Sequence, residues 1–494
     1  MFLKSFDNDK YIRLQSEKIK ERISAFGGKL YLEFGGKLFD DYHASRVLPG
    51  FKPDSKLQML MTLKDDAEIV IVINAYDIEK NKMRGDLGIT YDADVLRLID
   101  AFRLAGFYVG SVVLTQYSSQ PAATAFSARL EKLGIKTYHH YSIDGYPDNV
   151  QGIVSENGYG KNEYVETTRS LVVVTAPGPG SGKMAVCMSQ LYHENARGVS
   201  AGYAKFETFP IWNLPLKHPV NIAYEAATVD LGDVNMIDPF HYDAYGIMAV
   251  NYNRDVEIYP VMNAIFEKIY GYSPYKSPTD MGVNMAGYCI IDDEEVKEAA
   301  RREIVRRYYA CACAERKGLS DHSLTARCEL LIRQAGASLD ARKVVPAALE
   351  KERLTGAPAA AIELNDGRII VGKTTSLLGA SSAMLLNALK ALAGIDDDVQ
   401  LIAQKYIQPI QELKVNILGN RNPRLHMDEV LLALSICASD DENAAKCVEQ
   451  LKNLSYCEAH SSVILSQVDE NIYRKLGINL TCEPVYQTKK LYHK

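Results

Sequence analysis

Residues 68–75 read EIVIVINA, a near-continuous run of β-branched side chains. Such a run is typical of a parallel strand that is buried on both faces of a sheet. Helical spacing follows over residues 92–104, a second strand-like run over 110–115, and a second helical pattern over 122–133. Strand and helix that alternate in this way predict an α/β fold with a mostly parallel sheet.

At 494 residues, the chain is too long for a single hydrophobic core, so several domains are expected. A second α/β pattern begins with the strand-like LVVVTA of residues 171–176 and is expected to return to strand at 222–229. The predicted domains are an N-terminal α/β unit (1–165), an α/β unit with a glycine-rich turn (166–260), a helical subdomain (261–355) and a smaller C-terminal α/β domain (356–494).

The composition excludes several classes of protein. The net charge of −6 and the pI near 6.0 argue against a nucleic-acid or membrane-surface role. The first residues carry charges where a signal peptide needs an apolar core, and no run approaches the roughly 20 apolar residues of a membrane span. Nine cysteines without a C-x-x-C pair indicate free thiols and no cysteine metal site. We therefore expect a cytoplasmic protein.

Residues 367–374, GRIIVGKT, satisfy the phosphate-loop pattern G-x-x-x-x-G-K-[ST] letter for letter. The four variable positions, however, hold residues that prefer an extended strand, and Gly367 completes an Asn-Asp-Gly turn. A strand sends alternate N–H groups to opposite edges, so these groups cannot converge on a phosphate. The pattern therefore predicts a hairpin that leads into a helix.

Residues 175–184, TAPGPGSGKM, fail the same pattern, because Pro177 stands at its first glycine and Met184 at its Ser or Thr. Yet a buried strand, a glycine loop, a lysine and a helix follow one another here, which is the arrangement that phosphate binding needs. A thioether is a poor ligand for Mg²⁺, so Met184 does not support that cofactor. The alternative is a tight glycine turn without a ligand. The predicted phosphate-binding residues are Gly178, Gly180, Ser181, Gly182 and Lys183.

Other polar residues cluster in predicted loops. Residues 230–243 are dense in groups suited to acid–base chemistry, and the catalytic candidates there are Asp230, Asp233, Asp238 and His241. Ligands of open α/β sheets bind beyond the carboxyl ends of strands. This rule adds weaker candidates after the 68–75 strand and in the loop DYHASRVLPGF: Asp77, Arg84, Asp86, His43 and Arg46. For each group, the alternative is a hydrogen-bonded structural loop.

The strings TAPGPGSGKMA, DYHASRVLPGF and ATVDLGDVNMIDPFH resemble a bacterial family known as domain of unknown function 1846, or uncharacterised protein family 0371. The resemblance spans essentially the whole chain. It implies a cytoplasmic α/β protein with a helical part and a C-terminal domain similar in outline to the layers of cytidine deaminases. The zinc motifs of those enzymes, H-x-E and P-C-x-x-C, do not occur. The family brings no reaction or catalytic residue to carry over.

Together these features predict that the chain binds a phosphorylated small molecule or a nucleotide at residues 178–183. If the protein is an enzyme, it is expected to be a transferase or hydrolase that acts on such a ligand. The rival hypothesis is a non-catalytic oligomeric or regulatory protein whose glycine loop is structural. A homo-oligomer is compatible with either hypothesis.

Overall fold

A computed structural model of the chain describes residues 4–84 and 87–488. The chain divides into two compact units. The N-terminal unit comprises Lys4–Glu225 and Gly232–Lys297, and the C-terminal unit comprises Ala226–Leu231 and the described residues from Glu298 onward.

Up to residue 297 the strands are β1 (Leu30–Phe34), β2 (Ala67–Asn74), β3 (Met83–Arg84), β4 (Ile89–Thr90), β5 (Tyr108–Thr115), β6 (Lys136–His139), β7 (Leu171–Thr175), β8 (Gly202–Phe206), β9 (Asn235–Ile237), β10 (Val250–Tyr252) and β11 (Gly282–Val283). The helices that begin in this part are α1 (Asn8–Ala25), α2 (Tyr42–Val47), α3 (Ser55–Met61), α4 (Ala75–Glu79), α5 (Tyr91–Leu104), α6 (Pro121–Lys132), α7 (Val150–Ile153), α8 (Lys183–Ala196), α9 (Pro219–Ala227), α10 (Pro239–Tyr245), α11 (Asn253–Tyr270), α12 (Pro278–Met281) and α13 (Asp293–Arg316).

The N-terminal unit is built on a seven-stranded sheet in the order β11-β8-β1-β7-β2-β5-β6, in which every neighbouring pair is parallel. β1 lies between two strands that come much later in the chain, since Leu30 is in register with Leu171 of β7 and with Gly202 of β8. One sheet therefore runs across the domain boundary predicted at residue 165.

The β-branched runs form the centre of this sheet because both of its faces are covered. Val70 and Val72 of β2 and Val172 and Val174 of β7 belong to a core cluster with Cys187 and Leu191 of α8 and Phe266 of α11. On β2 the alternate side chains Ile69, Ile71 and Ile73 are equally buried, and α5 packs on β2 and β5. Each fully buried aliphatic side chain contributes about 1.5–3 kcal/mol, so β2 and β7 hold the loops that follow them firmly in place.

The C-terminal unit contains a four-stranded sheet, β13-β12-β14-β15, with antiparallel β13/β12 and β12/β14 pairs and a parallel β14/β15 pair. Its strands are β12 (Ala359–Glu363), β13 (Ile369–Lys373), β14 (Glu458–Ser461) and β15 (Asn479–Cys482). Its helices, besides part of α13, are α14 (His322–Gln334), α15 (Val344–Thr355), α16 (Ala380–Ala393), α17 (Gln404–Glu412), α18 (Met427–Cys437), α19 (Glu442–Glu449) and α20 (Gln467–Lys475).

The predicted fold class is confirmed: the structure is a mixed α/β protein with a large parallel sheet, many helices and a smaller C-terminal sheet. The strand predicted at 222–229 is wrong, because most of that segment is helix α9, whose Pro219 suits a first helical turn. The helices predicted over 261–355 are present, but they divide between the two units within α13. No helix in the described residues is both long and apolar enough to cross a bilayer.

Candidate functional site

A cavity of about 520 Å³ lies at the carboxyl ends of β1, β7 and β8 in the N-terminal unit. This is the edge where ligands of open parallel sheets bind. Charged, phenolic and apolar groups share its lining, which consists of Glu33, Pro147, Asp148, Gly180, Gly182, Lys183, Met184, Tyr203, Lys205, Tyr252, Arg254, Asp255, Glu257, Ile258, Val261 and Met281.

The glycine loop between β7 and α8 has a fixed shape. Gly180 and Gly182 adopt positive φ angles of 75° and 90°, a region that side chains with a Cβ rarely occupy. The Ser181 hydroxyl donates to the carbonyl oxygen of Gly178 (2.9 Å), and the Thr115 hydroxyl donates to that of Ser181 (2.6 Å). These contacts hold the loop beside the cavity.

The first turn of α8 presents unpaired donors at the cavity. Gly182 caps the helix without a side-chain hydrogen bond, and the first N–H with a partner is that of Val186, which donates to the Gly182 carbonyl (3.0 Å). Among the described residues, no acceptor meets the N–H groups of residues 183–185. Since the 14-residue helix also places its positive end here, the site favours an anion.

Lys183 is half-buried and forms neither an ion pair nor a side-chain hydrogen bond within the part of the chain that the structure describes. Burial lowers its pKa, Glu33 partly offsets this shift and Lys205 adds to it. A lysine that is withdrawn from water without a counter-ion costs free energy, and an anionic ligand beside it would recover that cost.

Lys205 is held in a buried cluster at the same cavity. Its ammonium donates to the Asp255 carboxylate and to the Tyr252 hydroxyl, and it lies 3.1 Å from Oε1 of Glu207. Burial alone would lower the pKa of Lys205, but Asp255, Tyr252 and Glu207 outweigh it and hold that pKa well above its usual value. Lys205 is thus a fixed positive charge.

Glu207 is the group of this cluster that changes charge near neutrality. Burial raises its pKa to about 7, Lys205 opposes the shift, and Asp255 adds to it. A carboxyl group with a pKa near the working pH can take up and return a proton, which is what general acid–base catalysis requires.

Glu33 offers the cavity a free acceptor. It is 9% exposed, and the Tyr203 hydroxyl donates to its Oε2 (2.7 Å). Among the described residues, Oε1 has no hydrogen-bond donor and no cation lies within ion-pair distance of the carboxylate. A buried carboxylate with an open oxygen can accept a hydrogen bond from a group in the cavity.

Two protein-family models match the chain. The model described as Domain of unknown function DUF1846, N-terminal, matches residues 4–336, and the model described as Domain of unknown function DUF1846, C-terminal, matches residues 340–492. The chain is 60% identical over 490 residues to a UPF0371 protein of Corynebacterium urealyticum and 59% identical to one of Corynebacterium efficiens. It is 56% identical to a UPF0371 protein of Streptococcus pyogenes, and each alignment covers 99% of both chains. The chain belongs to the DUF1846 family. Because these names state no reaction, the chemistry of the site has to indicate one.

In this DUF1846 protein, the predicted phosphate-binding residues lie together. Gly180, Gly182 and Lys183 line the cavity, and Gly178 and Ser181 shape the loop behind them. Gly178 is also required by packing, since a Cβ there would overlap the Tyr91 hydroxyl. Met184 lines the cavity at the position where a phosphate loop carries its Mg²⁺ ligand.

The letter-perfect pattern at 367–374 is a hairpin, as predicted. β12 and β13 pair antiparallel from Ala359↔Lys373 to Glu363↔Ile369, so the backbone of the pattern is engaged in a sheet. Gly367 has a φ of 84° in the turn, and a Cβ at Gly372 would overlap the backbone of Met384 in α16. Turn geometry and close packing account for both glycines.

The acidic loop predicted to be catalytic does not line the cavity. Asp233 forms a two-pronged ion pair with Arg254 (2.6 and 3.0 Å), which does line it. Asp238 caps α10 and accepts from the Thr279 hydroxyl (2.6 Å), while His241 Nδ1 lies 2.9 Å from Ser277 Oγ. Asp230 is exposed and belongs to the C-terminal unit. A catalytic role for these residues stays a prediction.

The weaker candidates also lie outside the lining. Asp77 pairs with Lys82 (3.2 Å), and Arg84 pairs with the buried Asp94 (2.8 Å). His43 lies in α2 with its ring 5.2 Å from that of Phe209, and Arg46 is in the last turn of the same helix. Asp86 falls outside the described residues.

Sequence reasoning missed five residues of the site: Glu33, Lys205, Glu207, Tyr252 and Asp255. For four of them the signal was the end of a strand, whereas Asp255 lies in the first turn of α11. Glu33 and Lys205 are the penultimate residues of β1 and β8, Glu207 follows β8 directly, and Tyr252 ends β10. Only the order of the strands brings these ends together.

Proposed function

We propose that this DUF1846 protein binds a phosphate-bearing small molecule in the cavity, with the phosphate on the N-terminus of α8 and beside Lys183. The observation that carries the proposal is an unpaired, half-buried ammonium next to three backbone N–H groups without acceptors. Charge-assisted hydrogen bonds to a phosphate would satisfy all four groups at once.

The binding is proposed to be independent of Mg²⁺. Met184 offers no oxygen for a hard cation, so the loop lacks the usual metal ligand. Lys205 also lines the cavity, but its charge is matched by Asp255, so Lys183 is the lining cation that is left for a ligand. A nucleotide remains within this class of ligand, as the sequence predicts.

For a reaction, we propose that Glu207, whose pKa burial raises to about 7, exchanges a proton with the cavity through its hydrogen bond to Asp255, which lines the cavity. This would suit a transferase or hydrolase acting on the phosphorylated ligand, because both need a group that activates a nucleophile. A cytoplasmic setting, where phosphorylated metabolites are found, and self-association belong to the same proposal and are measured by fractionation and analytical ultracentrifugation.

The second candidate is a loop that serves structure alone, in a non-catalytic protein. It is favoured by the tight contacts of two glycines, since a Cβ at Gly178 would overlap Tyr91 and one at Gly182 would lie 3.1 Å from the Thr115 methyl. Those contacts explain the glycines without a ligand. They leave the unpaired Lys183 unexplained.

The test is a thermal-shift screen of nucleotides and sugar phosphates, with and without Mg²⁺, on wild type, Lys183→Ala and Lys373→Ala. Lys373 is the matched control, because it is the exposed lysine of the letter-perfect pattern. A ligand at 100 times its Kd should add about 2.7 kcal/mol to the stability of the folded protein. We expect a Mg²⁺-independent shift in wild type and Lys373→Ala that disappears in Lys183→Ala.

If no compound shifts the melting temperature, or if the shift survives in Lys183→Ala, the proposal fails. Lys183→Ala must melt close to the temperature of the unliganded wild type, which a half-buried, unpaired side chain allows. The absence of a shift with every compound would favour the glycine loop that serves structure alone.

A further inference from the structure

We infer that the ligand of this cavity is a phosphomonoester that also carries a protonated amine. The inference rests on the proposed function and concerns the chemistry of the rest of the ligand. It follows from the charges that remain in the cavity after the protein's own ion pairs are counted.

The cavity has more carboxylates than free cations. Lys205 is matched by Asp255 and Glu207, and Arg254 is matched by Asp233. Lys183 is then the one lysine or arginine of the described lining without a partner. Against it stand three carboxylates of the lining that have no ion pair with any described residue, namely Glu33, Asp148 and Glu257.

This surplus limits how much negative charge a ligand can bring. One phosphate satisfies Lys183 and the N-terminus of α8, but further phosphates would face carboxylates at close range. Like charges in a partly desolvated site repel, and each is costly to bury without a partner. A nucleoside triphosphate is therefore disfavoured, and a single phosphate is favoured.

The three carboxylates do not count equally. Asp148 and Glu257 are exposed, so water and salt screen them. Glu33 is 9% exposed, and the Tyr203 hydroxyl fixes its position. Because little water reaches the carboxylate, its free Oε1 still requires a hydrogen-bond donor or a cation. Glu33 is the group that would select the second feature of the ligand.

An ammonium meets that demand better than a hydroxyl does. Both donate a charge-assisted hydrogen bond to Oε1, but only the ammonium also neutralises the buried negative charge. The remaining lining side chains Ile258, Val261 and Met281 are apolar and would pack against the carbon skeleton of the ligand. A cavity of about 520 Å³ is within the range of small-molecule sites.

The experiment compares two probes that differ in one group. Glucosamine 6-phosphate and glucose 6-phosphate share the ring and the phosphate and differ in an ammonium against a hydroxyl. Calorimetric titration of wild type near neutral pH should give a Kd about tenfold lower for the amine. The Glu33→Gln variant should bind both with nearly equal affinity. Asp148→Asn, which removes an exposed carboxylate, should change the ratio by less than about twofold.

A second measurement does not depend on any variant. Repeating the wild-type titrations at about pH 9.5 deprotonates the amine of the probe. Glu207 of the protein is ionised there as well, but two uncharged groups of the probes meet the same protein, so the preference should vanish. ATP and inorganic phosphate are titrated alongside. ATP should bind more weakly than glucose 6-phosphate, which carries a single phosphate.

The outcomes separate the two proposals. If both sugar phosphates bind through Lys183 with equal affinity, or if the hydroxyl compound binds tighter, the inference about the amine is overturned and phosphate binding stands. If ATP binds tighter than either, the charge argument is overturned. If neither sugar phosphate, ATP nor inorganic phosphate binds, the proposed function itself fails.

Discussion

Glu207 is a carboxylic acid that stays protonated to about pH 7 because it is buried beside Asp255. Lys205 limits the shift but does not cancel it, since it is shared between the two carboxylates. The cluster contains two carboxyl groups and one lysine in an environment that excludes water. When both carboxyl groups ionise, one negative charge has no matching cation. The cluster therefore stores a proton at neutral pH, next to a cavity.

This charge state predicts how stability depends on pH. Between the ordinary pKa of 4.5 and about 7, the folded protein keeps the Glu207 proton and the unfolded chain does not. Stability from this group is therefore full below pH 4.5 and is lost as the pH rises through 7. Glu207→Gln mimics the protonated acid, so it should match wild type near pH 5 and exceed it near pH 8 by on the order of 1–3 kcal/mol.

The measurement is denaturant unfolding followed by the fluorescence of Trp212, the single tryptophan, which lies in the N-terminal unit. Glu257→Gln, which removes an exposed carboxylate of the same cavity, is the control and should follow the wild-type curve. Parallel curves for wild type and Glu207→Gln between pH 5 and 8 would contradict the assignment.

At the scale of elements, the hairpin of β12 and β13 shows how close packing can require a glycine at a given position. Gly372 lies where α16 crosses the sheet, and a Cβ there would overlap the backbone of Met384. The backbone of α16 cannot change position as easily as the end of a flexible side chain can. Gly372→Ala should therefore cost about 1–3 kcal/mol, as overpacking of a core does.

Hydrogen–deuterium exchange of peptides covering β12, β13 and α16 measures this effect locally. We expect faster exchange in Gly372→Ala and little change in Gly379→Ala, whose added Cβ would lie 3.9 Å from its nearest neighbour, Ser381 Oγ. Unchanged exchange in the first variant would mean that the helix can move away from the strand at little cost.

These elements also show how far the sequence alone can lead. β2, β7 and the hairpin were predictable because periodicity and turn chemistry are local properties. The glycine loop was predictable for the same reason. Glu33 and Lys205 were not, because they are 172 residues apart and meet only through the strand order β8-β1-β7. Asp233 and Asp238 were chosen for their density along the chain, and the structure engages both in ion-pair or capping bonds.

At the scale of the whole molecule, the unfolding of the two units can be followed by different side chains. Trp212 lies in the N-terminal unit, and seven of the nine free cysteines lie in the C-terminal unit: Cys311, Cys313, Cys328, Cys437, Cys447, Cys457 and Cys482. Each unit has its own buried cluster, so each can unfold as a cooperative body. We expect the denaturant midpoint from Trp212 fluorescence to differ from the midpoint of thiol labelling.

The control is Cys187→Ser with Cys289→Ser, which removes the two thiols of the N-terminal unit and leaves labelling to the other seven. Coincident midpoints in that variant would show that the chain unfolds as one body. A ligand of the cavity can then be assigned to a unit by the transition that it moves.

The central position of β1 has a consequence for synthesis of the chain. β1 ends at Phe34, yet its neighbours β7 and β8 begin at Leu171 and Gly202. At translation speeds of about 5–20 residues per second, the 136 residues between Phe34 and Leu171 take roughly 7–27 seconds to make. During that interval an apolar strand waits with both edges open, which is the condition that invites wrong pairing. A nascent chain of this design should depend on chaperones until the ribosome has delivered the strand that carries the glycine loop.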